Sequence, residues 1–271
     1  MRLLFIGDVF GRSGRKAITD HLPTLRRDWR LDFVVVNGEN ATSGAGLSAA
    51  HARVLLDAGA DCITLGDHAF DQRDMLSFVE TESRMIRPLN YARAVPGKGV
   101  RLFNTQSGKK VLVAQALGQV FMSRPYDDPF SALDAALKTA PMGGLADAVM
   151  VDFHAEATSE KMGMGHWLDG RASLVVGTHT HVPTSDAQIL SRGTAYLTDA
   201  GMTGDYNSVI GSQKEEPLNR FVVGMAKGRF VPAEGEATIC GVFVETDAKG
   251  LATHVVPVRV GGRLQASGPD R

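Results

Sequence analysis

The chain predicts an α/β fold, one domain spanning residues 1–271 with two packed mixed sheets and helices outside them, and three observations carry that reading. Its first third alternates short apolar runs with amphipathic segments in the order βαβαβα. Its middle and its tail each hold two apolar runs around a turn signal, the mark of a hairpin. Several apolar runs end at a glycine and then present a side chain with a nitrogen or oxygen donor.

Residues 3–6 read as a buried strand and residues 14–28 as a helix with Ile18, Leu22 and Leu25 on one face. A second strand covers residues 33–36, a helix residues 49–58, a third strand residues 62–65 and a third helix about residues 72–80. This order implies parallel strands joined by crossovers. Residues 99–105 and 109–116 flank Gln106-Ser107-Gly108 as a hairpin; residues 118–129 show no periodicity and read as a loop. A helix at residues 130–140, a strand at 148–153, a helix at 159–167 and a strand ending before Gly177 follow. Residues 238–246 and 251–260 form a tail hairpin expected to close the second sheet. Met162 and Met164 are expected in the core.

Composition narrows the function. With 44% hydrophobic and 22% charged residues the chain is an ordinary globular protein, which excludes disorder. A net charge of −1 without long like-charged blocks argues against an extended nucleic-acid surface but leaves a nucleotide or short RNA end as substrate. No stretch approaches the ~20 apolar residues of a membrane span, and the first strand runs directly into Gly7-Asp8 rather than a leader, so the cytoplasm is the expected compartment. Cys62 and Cys240, far apart in apolar runs, read as two buried thiols. Homo-oligomerisation is left open.

Ligands of open α/β sheets collect outside the carboxyl ends of the strands. There this chain places Asp8, Glu39-Asn40, Asp67-His68, His154 and the pair His179/His181. Singly, each has an innocent reading: Asp8 as a helix cap, Glu39-Asn40 as a turn, His154 as a core histidine. Their joint position favours a metal site. Carboxylates, an amide oxygen and imidazoles suit Mn, Fe or Zn better than Ca or Mg. Two such ions ~3.5–4 Å apart can clamp a phosphoryl group and bring a bridging water towards a pKa of ~7. No Gly-x-Ser-x-Gly elbow offers a serine nucleophile instead.

Gly7-Asp8-Val9-Phe10-Gly11, Asn37-Gly38-Glu39-Asn40, Gly66-Asp67-His68, Asp152-Phe153-His154-Ala155-Glu156 and Gly177-Thr178-His179-Thr180-His181 resemble the YmdB-like branch of the calcineurin-type metallophosphoesterases. The resemblance runs to about Gly211. It implies a four-layer αββα sandwich, two iron or manganese ions with zinc as the other candidate, and hydrolysis of small cyclic nucleotides, the 2′,3′-cyclic ones favoured, by a hydroxide between the metals. Carried over by position, one ion would take Asp8, Asn40 and His181, and the other Asp67, His154 and His179, with Glu39 bridging. His68 would act as general acid or charge stabiliser. The family usually has asparagine where this chain has Asp67, and the added charge is expected to tighten the second ion and raise the pKa of the water. Phe70, where the family often has tryptophan, is a conservative change.

Tyr206, in a glycine-rich loop, and Arg12, at the first helix's start, are candidate substrate contacts; a plain surface loop and a solvated helix face are the competing readings. Tyr126 is a weaker candidate of the same kind. His21, His51, His166 and His254 lie away from the strand ends and read as surface or structural. The alternatives to a phosphodiesterase are a phosphomonoesterase or nucleotidase with the same site, and a regulatory protein that binds a nucleotide with slow turnover.

Overall fold

The structure is a computed structural model that describes residues 1–270. Its first half runs β1 (Arg2–Ile6), α1 (Gly11–Asp28), β2 (Phe33–Asn37), α2 (Ala49–Asp57), β3 (Cys62–Thr64), α3 (Met75–Thr81), β4 (Val100–Asn104) and β5 (Lys110–Leu117). Then come α4 (Pro129–Thr139), β6 (Ala148–His154), α5 (Thr158–Trp167), β7 (Leu174–Thr178), β8 (Gln188–Ile189) and β9 (Ala195–Leu197). The chain closes with α6 (Glu215–Val223), β10 (Ile239–Thr246) and β11 (Ala252–Val260).

Five strands form one sheet in the order β11-β10-β1-β2-β3, and six form the other in the order β4-β5-β6-β7-β9-β8. Successive residues of a strand face opposite sides, and here both sides are covered. Leu4, Ile6, Val34 and Val36 pack under Ile18, Leu22 and Leu55 of α1 and α2. Leu3, Phe5, Phe33 and Val35 face Val111, Val113, Met150, Leu174 and Val176 across the middle of the molecule. Leu112, Val149, Val151 and Phe153 pack against Leu133, Leu137, Met164 and Leu168 of α4 and α5. Three apolar seams between four layers make an αββα sandwich, and they explain why its strands are apolar without alternation.

The expected parallel β1, β2 and β3 are present, as is the β4–β5 hairpin. The tail hairpin also forms, but it joins the first sheet and not the second. β10 runs antiparallel to β1, from Arg2 opposite Glu245 to Ile6 opposite Gly241. At Gly241 a Cβ would lie 2.1 Å from the Phe5 carbonyl oxygen, so the close pairing requires glycine. Met164 is fully buried as expected, whereas Met162 is 44% exposed, because the helix turns it to the opposite side of α5. The sequence reading also lacks β8 and α6, and gives no limits to the strand before Gly201 where β9 lies. The two strands are too short for periodicity, and α6 buries only Pro217 while Phe221 and Val222 are 79% and 82% exposed. Both cysteines are buried and free. Among the described residues no helix is long and apolar enough to cross a membrane.

Candidate metal centre

The carboxyl ends of β1, β2 and β3 meet those of β6 and β7, and every side chain singled out at a strand end except His68 converges there. Ligand atoms of Glu39, Asp67, His154 and His179 lie within 4.8 Å of one another. His154 Nε2 stands 3.0 Å from Asp67 Oδ1 and 3.2 Å from Glu39 Oε1. His179 Nδ1 is 3.3 Å from the same Asp67 oxygen and 3.0 Å from His154 Nε2. Beside this group lies a second one, in which His181 Nε2 is 3.1 Å from Asn40 Nδ2 and 3.9 Å from Asp8 Oδ2. Glu39 lies between the two, since its Oε1 also accepts from Asn40 Nδ2 at 3.1 Å.

An outer partner sets the tautomer of two of the three imidazoles and faces the third. His154 Nδ1 is 2.8 Å from Thr178 Oγ1, whose own hydrogen goes to Asp152 Oδ1 at 2.7 Å, so Nδ1 donates and Nε2 keeps its lone pair for the cluster. His181 Nδ1 can only donate to the Ile210 carbonyl oxygen at 2.8 Å, which again leaves Nε2 inward. His179 is reversed: its Nε2 faces Glu156 Oε2 at 3.3 Å and its Nδ1 faces the cluster. Such outer partners are what metal-ligating histidines require.

Charge makes the same point. Burial raises the Asp8 carboxyl well above its ordinary range, with His154 pulling it back only in part. Burial also disfavours charge on Glu39 and Asp67, but the His154 imidazole beside Glu39, and His154 with His179 beside Asp67, outweigh it and hold both carboxyls low. Around His154 the carboxylates outweigh burial and raise its pKa well above the usual value. A proton on His154 thus does part of what a cation would do, and the two compete. Asp8 Oδ1 is buried with no hydrogen-bond partner among the described residues. An orphaned carboxyl oxygen beside three imidazoles that each turn a ring nitrogen inward fits a bound cation.

A carboxyl whose folded-state pKa is raised destabilises the fold once it ionises. The cation-free protein therefore loses stability as pH climbs from about 3.9, the unfolded value, through the folded one. Asp8→Asn is expected to stabilise the chelator-treated protein at pH 8 by about 1–3 kcal/mol, and by less at pH 5. Thermal melts at both pH values check this; a lower Tm at pH 8 would count against it.

His68 sits at the rim, its side chain 43% exposed and its Nδ1 2.7 Å from Asp71 Oδ2, which leaves Nε2 unengaged. Burial works against its charge, but Glu39, Asp67 and Asp71 outweigh it and raise the imidazole's pKa. Its backbone nitrogen donates to Glu39 Oε2 at 3.1 Å. Tyr206 turns its hydroxyl inward, 3.2 Å from the His181 carbonyl oxygen and 3.2 Å from Cys240 Sγ, and so braces the backbone of a cluster residue. Arg12 is exposed and lines a depression with Lys16, Asp20 and Glu236, none of them at the cluster. Tyr126 packs edge-on against Tyr91 at 5.2 Å.

Sequence reasoning missed the outer partners. Asp152 is a carboxylate inside the apolar run of β6, and its Oδ2 accepts from Gln115 at 2.8 Å and Asn37 at 3.1 Å, tying the ends of β5, β6 and β2 together. A charged residue in a doubly covered strand is itself the signal. Glu156, two positions after His154, is exposed and outside β6, and carried no such signal. Nor was the strain legible: His179 and His181 have φ of 99° and 66°, left-handed values that cost about 1–3 kcal/mol each in non-glycine residues and gather at functional sites.

A two-sheet α/β sandwich with this cluster at its strand ends defines a class, the hydrolytic phosphoesterases. Within it the chain belongs to the YmdB-like protein family, which it matches over residues 4–258. It is 42% identical over 247 residues to a 2′,3′-cyclic-nucleotide 2′-phosphodiesterase of Bacillus subtilis, covering 91% of this chain and 92% of that protein. Among solved structures, a hypothetical protein from Thermus thermophilus superposes with a TM-score of 0.90 at 44% identity, covering 97% of this chain and all of that one. A phosphatase from Mycoplasma pneumoniae superposes with a TM-score of 0.88 at 34% identity, over 96% and 93% of the two chains.

Proposed function

We propose that the protein is a metal-dependent phosphodiesterase of small cyclic nucleotides, the 2′,3′-cyclic ones favoured, working at a centre of two cations, iron or manganese ahead of zinc. The observation that carries this reading is the convergence of Glu39, Asp67, His154 and His179 beside the orphaned Asp8 oxygen. Asp8, Asn40 and His181 would hold one cation and Asp67, His154 and His179 the other, with Glu39 shared. Asn40 would do so once its amide is turned to present Oδ1. When bound, the cations would neutralise the phosphoryl oxygens and make water acidic enough to attack near neutral pH.

The protein's own contribution is placement and protons. A water that has given one proton to solvent adds its oxygen to phosphorus, the bond from phosphorus to one ribose oxygen breaks, and His68 delivers a proton to that leaving oxygen and regains one from solvent. An imidazole's ordinary pKa of about 6.5 suits a donor near neutral pH, and the Asp71 carboxylate, which is not among the proposed ligands, favours its charged form. The Asp71 contact turns the ring so that Nε2 is the donating atom. Tyr206 acts through the His181 backbone, and Arg12 would at most meet an outlying phosphate.

The test strips the protein with a chelator, reloads it with manganese, iron(II) or zinc, and measures bound metal together with hydrolysis of a 2′,3′-cyclic nucleotide and a phosphomonoester. Two cations per chain and diester hydrolysis are expected, with His68→Ala slowed by about 10²–10⁴-fold. Monoester turnover alone would favour a phosphomonoesterase, and full loading without turnover a nucleotide-binding regulator. Asp67→Asn is expected to lose affinity at one cation and, by lowering the pKa of the attacking water, to move the acid side of the pH–rate profile to lower pH. An unchanged metal content and profile would remove that role for the extra charge.

A further inference from the structure

Behind the His-Thr-His segment lies a buried ion pair that the chemistry above leaves unused. Lys161, on α5, has a fully buried side chain, and its ammonium stands 2.7 Å from Asp199 Oδ2. Asp199, two residues beyond β9, is 1% exposed. The same Oδ2 accepts from the Thr180 hydroxyl at 2.7 Å and the Thr180 backbone nitrogen at 3.2 Å, while Oδ1 accepts from the Gly201 nitrogen at 2.8 Å. Four donors on one carboxylate leave it well satisfied. Even so, a buried ion pair returns little net stability compared with an apolar pair of the same shape. Its contacts point to a geometric role.

The geometry it holds is specific. Two residues apart on an extended strand, His179 and His181 would point the same way. Here both have left-handed φ, and the imidazoles part: His179 Nδ1 goes to His154 and Asp67, and His181 Nε2 to Asn40 and Asp8. Thr180, the residue between them, is the one that Asp199 grips through both backbone and side chain. The lysine reaches this point by running against Gly177, where a Cβ would stand 1.8 Å from the Thr198 carbonyl oxygen and 2.8 Å from Lys161 Cδ. Gly177 and Lys161 are therefore parts of one arrangement.

We propose that the Lys161–Asp199 pair positions the metal ligands: it clamps the left-handed turn at Thr180 and so assigns His179 to one cation and His181 to the other. The inference rests on the two-cation reading. Neither residue touches the reacting atoms; both act through Thr180.

Cobalt(II) titration of chelator-stripped protein tests this, with stoichiometry, affinity and the ligand-field absorption spectrum as readouts beside the cation-free Tm. Three variants are compared with the parent: Lys161→Met, Asp199→Asn and Thr180→Val. The expected result is two cobalt ions per parent chain, and in each folded variant about 10–100-fold weaker binding of at least one ion with an altered spectrum. Should Lys161→Met or Asp199→Asn fail to fold, Thr180→Val, which leaves the ion pair in place, decides the matter. Parent-like affinity and spectrum in the folded variants, with only the Tm lowered, would overturn the inference and leave the pair as structure. A parent that binds no cobalt would overturn the two-cation reading as well, which is a separate and recognisable result.

Discussion

Glu39→Ala will lower kcat/KM for a 2′,3′-cyclic nucleotide by about three orders of magnitude, roughly 4 kcal/mol of transition-state stabilisation, and will reduce the bound metal to one ion per chain or fewer. Glu39 is 1% exposed, and its side chain touches members of both ligand groups, Asn40 on one side and His154 on the other. It also fixes the backbone of His68. Removing it therefore separates the two halves and loosens the proposed proton donor together. Elemental analysis of the purified variant beside steady-state kinetics checks the result. Two tightly held cations in the variant would rule out the bridging role.

A comparable loss is expected from a change that replaces no proposed ligand. At Gly66 a Cβ would stand 2.0 Å from Glu39 Oε2 and 2.7 Å from His154 Cε1. Gly66→Ala must push one or both aside, at a stability cost of about 1–3 kcal/mol for overpacking. The displaced groups are the shared carboxylate and a buried imidazole, so cation affinity should fall by about 100-fold or more, a larger loss than removing an outer partner brings. Circular dichroism establishes that the variant is folded, and metal titration reads the loss. Full metal content in a folded Gly66→Ala protein would mean that the glycine serves only the turn.

The parts of the fold that are legible in the sequence are those whose apolar runs are long enough to show a period. β1, α1, β2 and α2 read close to their observed limits because one face of each helix and both faces of each strand are buried. β8 and β9, two and three residues long, carry no period to read. The destination of the tail hairpin is illegible for another reason: an apolar run records that a strand is covered, not which edge it joins. At the site, the donors could be found because they share a position, at the end of a buried strand or within three residues beyond it. That rule does not mark out their outer partners. Thr178, Glu156 and Asp199 matter through three-dimensional contacts with side chains distant in the chain. The left-handed φ at two histidines likewise runs against what residue type alone would suggest.

The placement of β10 between β1 and β11 bears on when the centre can exist at all. His181, the last of the proposed ligands, leaves the ribosome long before Ile239–Thr246, and at about 5–20 residues per second the interval is on the order of seconds. Throughout it a growing chain owns every donor, yet the strand that carries Asp8 has one edge bare and open to wrong pairing. Gly7 makes its backbone hydrogen bond to Cys240 only after β10 has arrived. A two-cation centre of the proposed kind would therefore be framed on both sides of β1 only once β10 has paired with it.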